Sequence, residues 1–135
     1  VLKVKHIMVV GHYGCGGVQA VLNEDRFGFI DNWLRHVGDV KEKHLEQLNA
    51  LPEKQRLDRL IELNVIEQVR NVSRTSIVQD AWLRGQELTV HGWVYGLENG
   101  HLHDLESVVS CAEEECESYK KAVHHVLNKS ADSHL

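Results

Sequence analysis

His12 and Cys15 are the two side chains in this 135-residue sequence whose types and spacing best suit a metal ion. They lie in the run Gly-His-Tyr-Gly-Cys-Gly-Gly at 11–17, and imidazole nitrogen and thiolate sulfur are both preferred donors for Zn²⁺. A helical pattern (Val18, Val21, Leu22) begins just after Cys15, so a thiolate there faces the unpaired N–H groups of a helix start. His-x-x-Cys supplies two donors, whereas a catalytic zinc normally has three from protein. On spacing alone, a buried cysteine beside a surface histidine is the other reading. The glycine-rich turn also raises nucleotide binding, but it lacks the Gly-Lys-Ser/Thr ending of a phosphate loop and the G-x-G-x-x-G spacing.

The elements that must hold this pair follow from periodicity. Residues 7–10 are continuously apolar, which predicts a strand covered on both faces, and Gly11, Gly14, Gly16 and Gly17 supply a permissive turn after it. Open α/β sheets place their ligands at such a strand-to-helix loop. Residues 28–37 predict a helix with Phe29, Ile30, Trp33, Leu34 and Val37 as one buried stripe, closed by Gly38. Trp33 and His36 are read as core and rim. Residues 40–51, with His44, predict a charged and mostly exposed helix.

Pro52 opens the next helix, whose apolar positions from Leu57 to Val72 spread wide enough to predict burial on most sides, with Asn64 and Gln68 as satisfied amides. Ser73 is the expected N-cap of a shorter helix ended by Gly85. Residues 88–95 predict an internal strand with bulk on both faces, and Asn99-Gly100 a hairpin turn into an antiparallel strand from Leu102. Residues 113–127 predict a helix. Cys111 and Cys116, read as helical, would sit about 140° apart and not share an ion. A frayed tail is expected over 128–135.

The segments GHYGCGG, FIDNWLRHV and LNVIEQVRNVSRTSIVQDAWLRGQELTVHGWVYGLENG resemble the β-class carbonic anhydrases of bacteria and fungi, over about residues 2–105. The resemblance implies an α/β fold: a parallel sheet core flanked by helices with a short antiparallel return strand, here an incomplete β-carbonic anhydrase fold. It implies Zn²⁺ as cofactor, His12 and Cys15 as two of three zinc ligands, and the backbone N–H of Gly16 as a bicarbonate contact. It implies CO₂ and bicarbonate as substrate and product, and a homodimer or higher homo-oligomer. Tyr95 matches a position that helps form a bicarbonate regulatory pocket in one subclass, with core packing as the other reading. The family's Cys-x-Asp-Ser-Arg motif, which carries the first zinc cysteine and the Asp/Arg dyad, occurs nowhere in this sequence. A non-catalytic fragment or pseudoenzyme that acts by association is therefore the alternative.

Length and a 42% hydrophobic content predict a single domain over 1–135. Twenty acidic against fifteen basic residues, a net charge of −5 and no basic stripe argue against nucleic acid as partner. No apolar run approaches the roughly 20 residues needed to cross a bilayer. Three cysteines without a framework spacing suit a reducing, cytoplasmic setting. Residues 1–5 read as the last turn of a helix cut through, so the sequence is expected to lack an N-terminal part.

Overall fold

The computed structural model describes residues 2–129. Strand β1 (His6–His12) leads through a tight turn into helix α1 (Gly16–Asn23), followed by α2 (Ile30–Lys43), α3 (Leu45–Ala50), α4 (Glu53–Ser73) and α5 (Ser76–Leu83). Strands β2 (Thr89–Tyr95) and β3 (Leu102–Val109) form a hairpin, and α6 (Glu115–Asn128) ends the described chain. The sheet has the order β1-β2-β3, with β1 parallel to β2 and β2 antiparallel to β3. It is a mixed α/β arrangement, as the residue pattern and the resemblance imply, and β2 is internal.

Helix α4 organises the core. Pro52 stands before it in extended conformation, and its 21 residues contain no glycine or proline to interrupt the ladder. Leu60, Ile61, Leu63, Val65, Ile66 and Val69 are all buried, on several sides of the helix, as the breadth of the pattern predicts. The helix lies close on the sheet because two strand residues have no side chain to hold it off. A Cβ built on Gly11 would stand 2.7 Å from Val65 Cγ2, and one on Gly92 would stand 2.9 Å from Val69 Cγ2. Gly11 thus serves close packing, and the turn itself needs positive φ at Gly14 (+72°).

Charge is folded into this packed side. Arg59, 1% exposed, donates from Nη1 to Glu62 Oε1 at 2.6 Å, and Lys129 pairs with the other carboxylate oxygen. Arg70 donates to Glu115 at 2.8 Å and lies 4.2 Å from the ring centre of Tyr119, whose hydroxyl donates to Glu67. The Arg70–Glu115 and Tyr119–Glu67 contacts fasten α4 to α6, and Lys129 ties the residue after α6 to α4. Asn64 and Gln68 bond each other on α4 at 3.2 Å, as expected of satisfied amides.

Several expectations are corrected. β1 is an edge strand with one face open: Met8 is 56% exposed and Val10 is also exposed, because none of the described strands pairs beyond it and the helices that pack on the sheet lie on the opposite face. An apolar run alone does not distinguish a doubly covered strand from one with a bare face. Helix α2 runs to Lys43 with Gly38 inside it, and its stripe is not buried. Phe29 is 91% exposed, Trp33 78%, and Ile30 is exposed too; only Leu34 and Val37 turn partly inward. Trp33 is not core.

The segment 40–51 breaks at His44, which is itself buried along with Val40 and Leu48. Thr75, not Ser73, caps α5 by accepting from the Val78 N–H; Ser73 is buried at the end of α4 and donates to the Val69 carbonyl. Residues 2–5 are not helical, since Lys5 already pairs in extended fashion with Thr89 and so few residues cannot sustain a turn. Cys111 precedes the short 3₁₀ turn Ala112–Glu114, so the angle reckoned around one helix does not apply to it. The tail expectation falls largely on 130–135, outside the described residues, as does Val1 of the N-terminal reading.

Candidate metal centre

The site is built where β1 runs out. The turn that follows keeps the ends of β1 and β2 together through the Tyr13 N–H, which donates to the Tyr95 carbonyl at 3.0 Å. Cys15 is the N-cap residue of α1 and makes no side-chain capping bond, so its sulfur is not engaged by the helix it opens. Gly16 is the first residue of that helix, where a backbone N–H has no intrahelical acceptor, and the space beside it is open.

His12 is exposed at the strand end, and its Nδ1 lies 3.0 Å from the Tyr13 carbonyl oxygen. A carbonyl oxygen only accepts, so Nδ1 carries the proton and Nε2 is left with its lone pair. This is the arrangement that second-shell carbonyls impose on metal-ligating histidines. Cys15 is half-buried and reduced. Both donors therefore suit a zinc ion, and they come from adjacent ends of a strand and a helix. They remain two. Among the described residues no group of three or more His, Cys, Asp or Glu side chains is placed to hold a metal.

Tyr95 is neither core nor enclosed. It ends β2 in register with His12, on the same open face, and is 37% exposed. The core-packing reading of Tyr95 is corrected, because the face it occupies has no helix over it.

Sequence reading missed a polar group just behind the turn. Tyr13, Asp58 and His103 line a cavity of about 410 Å³ with Gly14, Leu97 and Asn99. The rings of Tyr13 and His103 meet edge to face at 5.7 Å. Burial first, and then the charges of Glu62 and Asp58, push the Tyr13 hydroxyl well above its ordinary value, so it stays protonated across the physiological range. Tyr13 was legible inside the His-x-x-Cys run. Asp58 and His103 were not, because only the packing of α4 against β3 brings them to it.

A family profile described as carbonic anhydrase matches residues 1–102. The chain belongs to the carbonic anhydrase family. A carbonic anhydrase of Emericella nidulans is 48% identical over 105 residues, covering 77% of this chain and 46% of that protein. The chain thus spans about half the length of that curated relative. Among solved structures, the Coccomyxa β-carbonic anhydrase in complex with acetazolamide superposes with a TM-score of 0.79 at 34% identity, over 96% of this chain and 61% of that one. One of two tetrameric β-carbonic anhydrases from Sordaria macrospora gives 0.72 at 33% identity, over 81% and 56%. These likenesses put the carbonic anhydrase chain described here in the β class, as a partial version of that fold. Among the described residues no helix is long and apolar enough to cross a membrane.

Proposed function

We propose that this chain carries part of the active site of a zinc-dependent carbonic anhydrase that interconverts CO₂ and water with bicarbonate and a proton. The observation that carries the reading is the His12–Cys15 turn: a lone pair at His12 Nε2 and an unengaged Cys15 sulfur, set at the end of a strand within the matched family region. A metal held by these residues supplies the Lewis acidity that activates water near neutral pH. His12 is oriented by the Tyr13 carbonyl, Cys15 supplies the anionic donor, and the free N–H of Gly16 hydrogen-bonds bicarbonate. The third donor comes from outside residues 2–129. Tyr95, beside His12 on the open face, contributes to a bicarbonate regulatory pocket whose other members also lie outside this sequence. The tetrameric Sordaria relatives support a homo-oligomer, and the three free cysteines support a reducing, cytoplasmic setting.

The second reading, a non-catalytic module or pseudoenzyme, is favoured by one observation: no third donor meets His12 and Cys15 among the described residues. Zinc affinity, measured by competition with a chromophoric chelator, and CO₂ hydration on the same sample separate the two. A small monothiol offered as third donor is expected to tighten zinc binding at least tenfold, and Cys15→Ser or His12→Ala to abolish that gain. Equal zinc retention in those variants overturns the site. Hydration that tracks bound zinc supports the enzyme; zinc without hydration supports the module.

A further inference from the structure

The open face of the sheet carries a second set of donors, away from the His12–Cys15 turn. In the parallel pairing His91 stands beside Met8, and His6 precedes Met8 by two residues. Period-two alternation therefore puts His6, Met8 and His91 on one side of the sheet. The two imidazoles already meet: His6 Nδ1 lies 3.0 Å from His91 Nε2, with ring centres 5.2 Å apart. Met8 is the sole methionine of the sequence and is more than half exposed beside them. Lys5, the residue before His6, pairs with Glu87 at 3.7 Å.

Two neutral imidazoles at this distance share one proton, one ring donating and the other accepting. A cation can take the proton's place. With metal–imidazole bonds of about 2.0 Å, two ligating nitrogens stand roughly 3.3 Å apart at a tetrahedral angle and about 3.5 Å at a trigonal one. The pair has to open by only a few tenths of an ångström, which exposed side chains do by rotation. The donating ring moves its proton to its other nitrogen, so both facing nitrogens present lone pairs and no proton leaves the protein. Imidazole alone serves zinc, nickel and copper alike, but a thioether selects the soft ion. We propose that His6, Met8 and His91 form a surface site for copper(I).

The single methionine makes the test direct. With ¹³C-methyl methionine the chain gives one methyl resonance, and silver(I) serves as a redox-inert probe of the same softness. Thiols bind silver too, so the titration uses the Cys15→Ser, Cys111→Ser, Cys116→Ser chain and, in parallel, the native chain with its thiols capped by N-ethylmaleimide. One equivalent of silver(I) is expected to shift the methyl resonance in both. His6→Ala and His91→Ala should each weaken the response at least tenfold, while His12→Ala leaves it unchanged. A resonance that does not move in either background overturns the proposal. So does one that moves equally without the histidines, which assigns binding to Met8 alone, or one that depends on His12.

Discussion

The two faces of one three-stranded sheet behave as different materials. On the packed face Val90 and Val109 lie under α4 and α5 and Val94 and Leu105 under α4 and α6, and the charges that enter that side, such as Arg59 and Glu62, are matched within it. On the open face His6, Met8, Val10, His12 and Tyr95 stand in rows with no helix over them. Stability resides on the first face, while the donors capable of chemistry lie on the second and at its strand ends.

The largest effect should come from breaking a charge on the packed face. Glu62→Ala removes the carboxylate that Arg59 and Lys129 both address, leaving buried positive charge poorly compensated. A loss of about 3–5 kcal/mol in urea unfolding is expected. Val10→Thr on the open face is expected to cost under ~0.5 kcal/mol. Equal losses would erase the distinction between the faces. Next comes Gly92→Ala. Its methyl would stand 2.9 Å from Val69 Cγ2 and 3.3 Å from Ser107 Cβ, so α4 must shift outward, at about 1–3 kcal/mol by thermal or urea melt.

What was legible in the sequence divides along the same line. The breadth of the α4 pattern, the Asn99-Gly100 turn and the internal placement of β2 could be read because each rests on local periodicity or turn chemistry. The His12–Cys15 turn was legible as two adjacent donors at a strand end. Neither the bare face of the sheet nor the exposed stripe of α2 was. Phe29, Ile30 and Trp33 have the spacing of a buried stripe, and nothing in the spacing says whether a partner element exists to cover it. The Thr75 cap was missed because Ser73 and Thr75 are both good caps, and only burial of Ser73 against Val69 decides between them. Asp58 and His103 belong to a cavity that exists only after α4, β3 and the turn have met.

His44 gives a smaller effect on the packed side. Burial, and then the charge of Lys43, hold its pKa below the ordinary 6.5, and its Nε2 is buried without a hydrogen-bond partner among the described residues. The unfolded chain therefore binds a proton at His44 more readily than the folded one. The stabilisation is fully present above about pH 6.5 and is lost as pH falls through the lower folded value. His44→Gln should flatten that part of the stability–pH curve, read by urea unfolding between pH 5 and 7. An unchanged slope would remove His44 from the packed face's pH response.

The smallest effect on stability should come from the aromatic cluster at the start of α2. Phe29 and Trp33 are almost wholly in water, so truncating them gives up little that folding gained. The double variant Phe29→Ser, Trp33→Ser should unfold within ~0.5 kcal/mol of the parent in dilute solution. A contiguous exposed apolar patch does promote association, so the same variant should show a weaker dependence of mass on concentration in sedimentation or light scattering. A loss above ~1 kcal/mol at low concentration would mean that the aromatics pack within one chain. The outer side of α2, which packs on α1 and α4, would then add to the stability that the packed face supplies.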